Sequence, residues 1–293
     1  MNEPVNQTRI PKKLTVPAIR ARKDGERLAM VTAYDVAFAR FAEQAGIDMI
    51  LVGDSLGMVT LGYDSTVPVT MADILHHSRA VVRGAPATHV VADLPFLTFQ
   101  IDDAQAIQNA GRLLQEGGVD SIKIEGGSRL APRIRAIVDA GIPVVGHVGL
   151  TPQAVGTIGG FRVQGRDLET AKRILADAEA VAEAGAFALV VEAVPSELGS
   201  LITERVPIPT IGIGAGAKCD GQVLVCHDLL GLEEQIAPRF AKRYAELGAA
   251  VRDAFAAYAS EVRSGAFPDA AHSYQMAEEI AESLRQEVSR DRS

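Results

Sequence analysis

Eight short apolar segments recur along this chain, each closed by a polar or glycine-containing turn. They read LAMVTAYD (28–35), MILVGDS (49–55), HVVADLP (89–95), SIKIEGG (121–127), PVVGHVG (143–149), FALVVEA (187–193), PTIGIGAG (209–216) and VLVCHD (223–228). Most are nearly continuous in Val, Ile, Leu and Met rather than alternating. That is the pattern of strands covered on both faces, as parallel strands are. Amphipathic stretches separate most of them, at 36–45, 71–83, 103–116, 129–140, 167–184 and 196–205. Several end in AEQAGID, RLLQEGGVD, IVDAGIP or VAEAGAF, where Gly supplies the left-handed helix cap and the next strand starts at once. Eight strands alternating with helices over roughly 200 residues predict an α/β chain folded as a (β/α)8 barrel. A doubly wound open sheet is the alternative, weakened because no G-x-G-x-x-G opens after the first strand.

The barrel is expected over about 26–237, within one domain spanning 1–293. A short helix at 15–24 precedes it, with Thr15 as cap, Pro17 in the first turn and Gly25 at the end. Two further helices, at 238–264 and 274–289, exceed what a barrel needs; they either pack on a neighbouring subunit or cover the barrel's base. Residues 1–10 are expected to be loosely held, and the final SRDRS to fray.

Composition narrows the function classes. An apolar share of 47% excludes a wholly disordered chain. The balance of 29 basic against 37 acidic residues, net −8, argues against nonspecific nucleic-acid binding, which draws on phosphate neutralisation. No apolar run approaches the ~20 residues of a membrane helix. Cys219 and Cys226 are too few for a disulfide framework or an ordinary zinc site, and read as inert small residues. The polar start, MNEPVNQTRIPKKLTV, lacks a signal peptide's apolar core, so a cytoplasmic protein is expected.

In such barrels the site lies at the C-terminal ends of the strands. There the sequence places Asp54-Ser55 after strand two, Asp93 after three, Lys123 and Glu125 on four, His147 on five and Glu192 on six. Lys123 and Glu125, two residues apart on a strand, point to the same face. Acids converging with few bases repel one another, and a hard divalent cation such as Mg2+ relieves this through carboxylate oxygens and water. Asp54 and Asp93 are the candidate direct ligands, and Glu125 a further one, direct or through water. A 2-oxo acid could chelate the ion, which would stabilise charge on the keto oxygen as the adjacent carbon loses a proton. Glu192 is the candidate base and Lys123 a fixed electrostatic stabiliser.

Each residue also has a plain structural reading. A lone Asp at a strand end often caps the next helix. Lys123 and Glu125 could be a salt-bridged pair, Glu192 a cap or an arginine's partner, and His147 a satisfied half-buried side chain. The set is harder to dismiss, because burying several unpaired carboxylates is costly. His76 and His77, adjacent on a helix, do not face one site and read as helix surface. GIGAG (212–216) suits a phosphate-cradling turn or tight packing at a barrel corner equally well. The long connections 54–70 and 148–166 stand out as functional loops.

With these residues in view, the sequence closely resembles the 3-methyl-2-oxobutanoate (ketopantoate) hydroxymethyltransferase family. The resemblance rests on TAYD (32–35), GDSLGMVTLGYDSTVPVTMADILHHSRAV (53–81), ADLPF (92–96), GGVDSIKIEGG (117–127), GIPVVGHVGLTPQ (141–153), GGFRVQGR (159–166), VVEAVP (190–195) and GIGAGAKCDGQVLVCHDLLG (212–231). These run in order over about 15–245. The resemblance implies a TIM barrel of the pyruvate/phosphoenolpyruvate superfamily type and a homo-oligomer, a decamer built as a pentamer of dimers. It implies transfer of a hydroxymethyl group from 5,10-methylenetetrahydrofolate to 3-methyl-2-oxobutanoate, forming 2-dehydropantoate for pantothenate biosynthesis through a Mg-stabilised enolate. By motif, Asp54, Asp93 and Glu125 match the family's magnesium site, Asp54, Ser55, Asp93 and Lys123 its oxo-acid contacts, and Glu192 its proton acceptor. His147 falls where the family places a polar group near the substrate.

Two other readings compete. A carbon–carbon lyase or phosphonomutase of the same superfamily would carry a Lys-Lys-Cys-Gly-His type motif, which is missing here. A non-catalytic binding barrel would have little use for four rim acids and Lys123.

Overall fold

The computed structural model describes residues 13–232 and 238–290. The chain divides into two compact units, Met1–Tyr244 and Ala245–Ser293. The expectations for residues 1–10, and for the last three residues of SRDRS, lie outside the described residues.

In the first unit eight parallel strands form a ring: β1 (Leu28–Thr32), β2 (Met49–Val52), β3 (His89–Asp93), β4 (Ser121–Glu125), β5 (Val144–Gly149), β6 (Ala188–Glu192), β7 (Thr210–Ile213) and β8 (Gly221–Leu224). Each pairs with its sequence neighbours, and β8 closes onto β1. The ring is a closed (β/α)8 barrel, and it rules out the open doubly wound sheet.

Helices follow most strands. α1 (Val16–Arg20) precedes β1, and α2 (Val36–Gln44) leads to β2. α3 (Leu56–Val59) and α4 (Met71–Gly84) fill the long β2–β3 connection, followed by α5 (Asp103–Gln115) and α6 (Ala131–Asp139). α7 (Val155–Ile158) and α8 (Leu168–Glu183) lie between β5 and β6, and α9 (Ser196–Arg205) between β6 and β7. Residues 214–220 join β7 to β8 without a helix, and α10 (Cys226–Leu230) follows β8. Cys226 therefore opens a short helix instead of lying in the eighth strand. α1 stops at Arg20, short of the expected 15–24, although Thr15 accepts from the Ala18 N–H and Pro17 sits in the first turn as expected.

Side-chain parity along the strands produces two apolar layers, because successive residues point to opposite faces. Val31, Ile50, Val52, Val90, Ala92, Ile122, Ile124, Leu189 and Val191 pack outward against the helices. Leu28, Met30, Met49, Leu51, Val91, Val145, Val190, Ile211 and Val223 fill the inside. Burying a side chain of this size contributes about 1.5–3 kcal/mol. Ile19 of α1 is fully buried in the inner layer, with Leu14 and Val16 beside it, so α1 closes the barrel's N-terminal end. His89 ties that closure from within: Nδ1 meets the Leu14 carbonyl at 3.0 Å and Nε2 meets Ser121 Oγ at 2.9 Å.

At the same end, an Asp just before a strand accepts the exposed N–H of a neighbouring strand. Asp48 accepts from Ala29 (2.8 Å), Asp120 from Val90 (2.9 Å) and Asp220 from Thr210 (2.8 Å). These acids spend their charge on backbone groups that would otherwise be orphaned.

The second unit holds α11 (Leu247–Ser264), a 3-10 turn (Ala270–His272) and α12 (Glu278–Arg290). α11 starts nine residues after the expected 238, because 238–246 form no helix. No residue of either helix is buried within this chain.

Candidate active site

Strand parity carries the barrel's inner face upward from apolar to charged. Continuing the inner set, β3 ends in Asp93, β4 in Lys123 and Glu125, β5 carries His147 and β6 ends in Glu192. The register sets Asp93 beside Lys123 and Glu125 beside His147. Asp54, Asp93, Lys123, Glu125 and His147 are all buried, whereas the Glu192 side chain keeps 16% of its surface exposed.

The contacts form one connected cluster. Lys123 Nζ lies 2.9 Å from Asp93 Oδ1 and 3.3 Å from His147 Nδ1. The Asp54 N–H donates to Asp93 Oδ2 at 2.9 Å. His147 sits between two acids, with Nδ1 3.4 Å from Glu125 Oε2 and Nε2 3.0 Å from Glu192 Oε2. It is fully enclosed, not half-buried, and both ring nitrogens face carboxylates. The ion pair of Lys123 is with Asp93, not Glu125, so the salt-bridged Lys123–Glu125 pair of the plain reading is not what forms.

The caps are elsewhere. Asp35, after β1, accepts from the Ala37 and Phe38 N–H groups and caps α2. Asp102 and Asp167 do the same for α5 and α8, and Thr70 with Asp73 forms a capping box on α4. Asp54 and Asp93 cap no helix by side chain; Ser55 occupies the N-cap position of α3 without a side-chain cap bond.

Two residues that the sequence reading did not single out complete the cluster. Gln153 donates through Nε2 to Asp54 Oδ2 (2.8 Å) and to the Leu94 carbonyl (2.9 Å), while its backbone N–H donates to Glu125 Oε1 (2.6 Å). Tyr34 shares a 2.8 Å hydrogen bond with Ser55 Oγ. Both lie in stretches, TAYD and GLTPQ, that end a strand segment with a polar group, which was the available signal.

Electrostatics reflect crowding. Burial, then Asp93 and Glu125, push the Asp54 carboxyl well above its usual range, against the pull of Lys123 and Gln153. Burial works to lower the Lys123 ammonium, and Asp93, Asp54 and Glu125 outweigh it and hold it up. Burial and Lys123 work to lower His147, but Glu125 and Glu192 override them and raise it to about 9. At neutral pH the imidazole is a cation. Four carboxylates against Lys123 and His147 leave the mouth short of positive charge.

The remaining motifs resolve as packing. Cβ atoms on Gly214 and Gly216 would come within 2.8 Å of Phe240 and 2.6 Å of Ser196, and both residues have positive φ. GIGAG is therefore a tight corner, and no helix N-terminus follows it to cradle a phosphate. His76 is exposed as expected, while His77 is half-buried against the Tyr34 carbonyl at 2.6 Å. Cys219 and Cys226 are buried free thiols, and burial pushes Cys226 up to about 11. At Gly149, φ is +96° and a Cβ would lie 2.2 Å from the Glu192 carbonyl, so glycine lets β5 and β6 approach at the mouth.

A family model described as ketopantoate hydroxymethyltransferase matches residues 13–270.

The chain belongs to the ketopantoate hydroxymethyltransferase family.

Among its curated relatives, the 3-methyl-2-oxobutanoate hydroxymethyltransferase of Carboxydothermus hydrogenoformans is 54% identical over 273 residues, covering 93% of this chain and 99% of the relative. That of Moorella thermoacetica is 58% identical over 263 residues, covering 89% and 98%. The chain is accordingly an enzyme of the transferase class, which removes the lyase, phosphonomutase and non-catalytic readings. Among solved structures, phosphonopyruvate hydrolase aligns with a TM-score of 0.59 at 17% identity, covering 95% of this chain and 98% of that one. A 2,3-dimethylmalate lyase of the PEP mutase/isocitrate lyase superfamily aligns at 0.57 and 17%, covering 95% of this chain and 98% of the other. At these identities the likeness shows the fold alone, a TIM barrel.

Among the described residues, no group of three or more His, Cys, Asp and Glu side chains is placed to hold a metal ion by itself. The donor set present is of oxygens only, crowded enough to raise Asp54, and short of positive charge. That fits a hard divalent cation, which is held by one or two carboxylates and completes its shell with water and substrate.

Proposed function

We propose that this family member transfers a hydroxymethyl group from 5,10-methylenetetrahydrofolate to 3-methyl-2-oxobutanoate, giving 2-dehydropantoate, with Mg2+ held at Asp54 and Asp93 and steadied by Glu125. One observation carries the reading. Glu192, the partly exposed acid, stands on β6, across the ring from Asp54 beyond β2, with the charged cluster between them. A base and an anion-binding pole on opposite walls of one mouth suit proton removal next to a ketone. The solved phosphonopyruvate hydrolase complex with oxalate and Mg2+, at a TM-score of 0.56, lends the metal further support.

The chain's own groups divide the work. A divalent cation, when bound, supplies Lewis acidity toward the keto oxygen. Lys123, held as an ammonium by the surrounding acids, faces the developing negative charge of the oxo acid. The Ser55 hydroxyl, fixed by Tyr34, is left to bond the substrate carboxylate. Glu192 takes the C3 proton, and His147, whose Nε2 lies 3.0 Å from its Oε2, faces that carboxylate and shares its charge. Burial of all but Glu192 keeps bulk water from the deprotonated oxo acid. Water hydrolyses the folate's methylene bridge, so tetrahydrofolate leaves as the free amine and the one-carbon unit is left at the formaldehyde level; the C3 nucleophile bonds to that carbon, its C=O opens, and the resulting alkoxide takes up the proton that Glu192 removed.

Proton NMR of 3-methyl-2-oxobutanoate in heavy water tests this. The enzyme with Mg2+ is expected to exchange the C3 proton, and Glu192→Gln to slow exchange by about 10²–10⁴-fold while oxo-acid binding persists. Undiminished exchange in the variant removes Glu192 from the base role.

A homo-oligomer, the decamer of the family resemblance, belongs to the same reading, as does a cytoplasmic location. Among the described residues no helix is long and apolar enough to cross a membrane. Val251, Phe255, Tyr258 and Val262 form an exposed apolar stripe along α11, which a further copy of the chain would cover. Light scattering is expected to report an assembly of ten chains; a monomer would refute it.

A further inference from the structure

Among the described residues, Gln153 is a neutral side chain that touches the acid cluster from beyond β5. It lies in the 3-10 turn Pro152–Ala154 and is 7% exposed. Its two amide hydrogens are both spent, one on Asp54 Oδ2 at 2.8 Å and one on the Leu94 carbonyl at 2.9 Å. Its Oε1 receives Gln100 Nε2 at 3.4 Å, and its backbone N–H holds Glu125 Oε1 at 2.6 Å. The amide has only one sensible orientation: turned over, its oxygen would face the Asp54 carboxylate and a carbonyl, acceptor against acceptors. One residue therefore ties together the C-terminal ends of β2, β3 and β4 from a position just past β5.

We infer that Gln153 is a positioning residue of the metal site, holding one oxygen each of Asp54 and Glu125 so that their free lone pairs meet a divalent cation. The inference rests on the proposed role of those acids. The choice of side chain follows from charge. A Lys or Arg here would reach Asp54 but would add a cation competing for the same carboxylate. A Glu would fit the space but would set a further anion beside Asp54 and Glu125. An Asn would keep the amide and fall a methylene short. Glutamine donates two hydrogen bonds at the required reach and leaves the charge of the cluster unchanged. Outer partners of this kind set the orientation and basicity of the groups that bind metal.

The test is a Mn2+ titration of the metal-free enzyme, followed by electron paramagnetic resonance of the free ion, on the wild type, Gln153→Met, Gln153→Asn and Gln100→Ala. Thermal melts of each protein first establish that it is folded at the titration temperature. The expected result is a Mn2+ affinity about 10–100-fold weaker in both Gln153 variants. Gln100→Ala, which leaves the acids' own contacts intact, keeps the wild-type affinity. Should Gln153→Met fail to fold, the Asn variant alone decides the matter. A residue that merely anchors the 150–158 segment would lower the melting temperature and leave the Mn2+ affinity of the folded protein within twofold of wild type; that outcome overturns the inference. Failure of the wild type to bind Mn2+ would instead overturn the metal-site reading on which it rests.

Discussion

Replacing His147 with Gln should remove a pH dependence of stability whose size and sign follow from the cluster. The imidazole is fully enclosed, and Glu125 and Glu192 hold its protonated form up to about 9, against an ordinary value of 6.5. The folded state thus keeps a proton that the unfolded chain releases. A histidine whose folded value is raised contributes stability that is fully present below about 6.5 and is lost as pH climbs through about 9. At about 1.4 kcal/mol per pH unit, the gap corresponds to about 3 kcal/mol. Burial spares this figure the discount that solvent imposes on exposed pairs. Urea unfolding of the metal-free wild type and His147→Gln, at intervals from pH 6 to 9.5, measures it. The wild type's advantage over the variant should shrink by about 3 kcal/mol across that range. Asp54 also titrates abnormally, but burial, Asp93 and Glu125 cause its rise, so both proteins carry it and it cancels in the difference. A wild-type-minus-variant difference that stays flat from pH 6 to 9.5 would show that His147 is not held protonated, and the charge assignment of the mouth would fall.

Lys123→Met removes the cation 2.9 Å from Asp93 and leaves buried acids uncompensated; unfolding experiments should show a loss of about 3–5 kcal/mol at pH 8. Part of it should return near pH 5.5, where a carboxyl that takes up a proton no longer needs a partner. Asp35→Ala breaks the α2 cap and should cost about 1 kcal/mol of stability, leaving Mg2+-dependent C3 exchange at its wild-type rate. Equal damage to exchange would mean that Asp35 belongs to the site and not to the helix.

How far the sequence foretold this molecule depended on what each residue had to satisfy. The strands were legible because burial on both faces demands near-continuous Val, Ile and Leu. Their C-terminal limits were overrun: TAYD and VLVCHD keep an apolar texture where the chain has already turned toward Asp35 or entered α10. Residues 238–246 carry a helical pattern but form no helix. Lys123 and Glu125 could be placed on one inner face by parity alone, and Asp93, His147 and Glu192 by the rule that chemistry gathers at one rim. The same rule could not separate Asp54 from Asp35, since both follow a strand; only the hydrogen bonds show that Asp35 faces backbone N–H groups while Asp54 faces Gln153. Gln153 and Tyr34 were missed because their roles lie in reaching across the ring, and nothing in local spacing encodes a contact between residues 99 positions apart.

The plug that α1 forms beneath the inner apolar layer bears on traffic. With Ile19, Leu28 and Met49 closing the N-terminal end and side chains filling the inner layer, the barrel interior is a packed core and not a passage. Whatever reacts at its charged level must descend from above, and whatever is made must climb out by the same route.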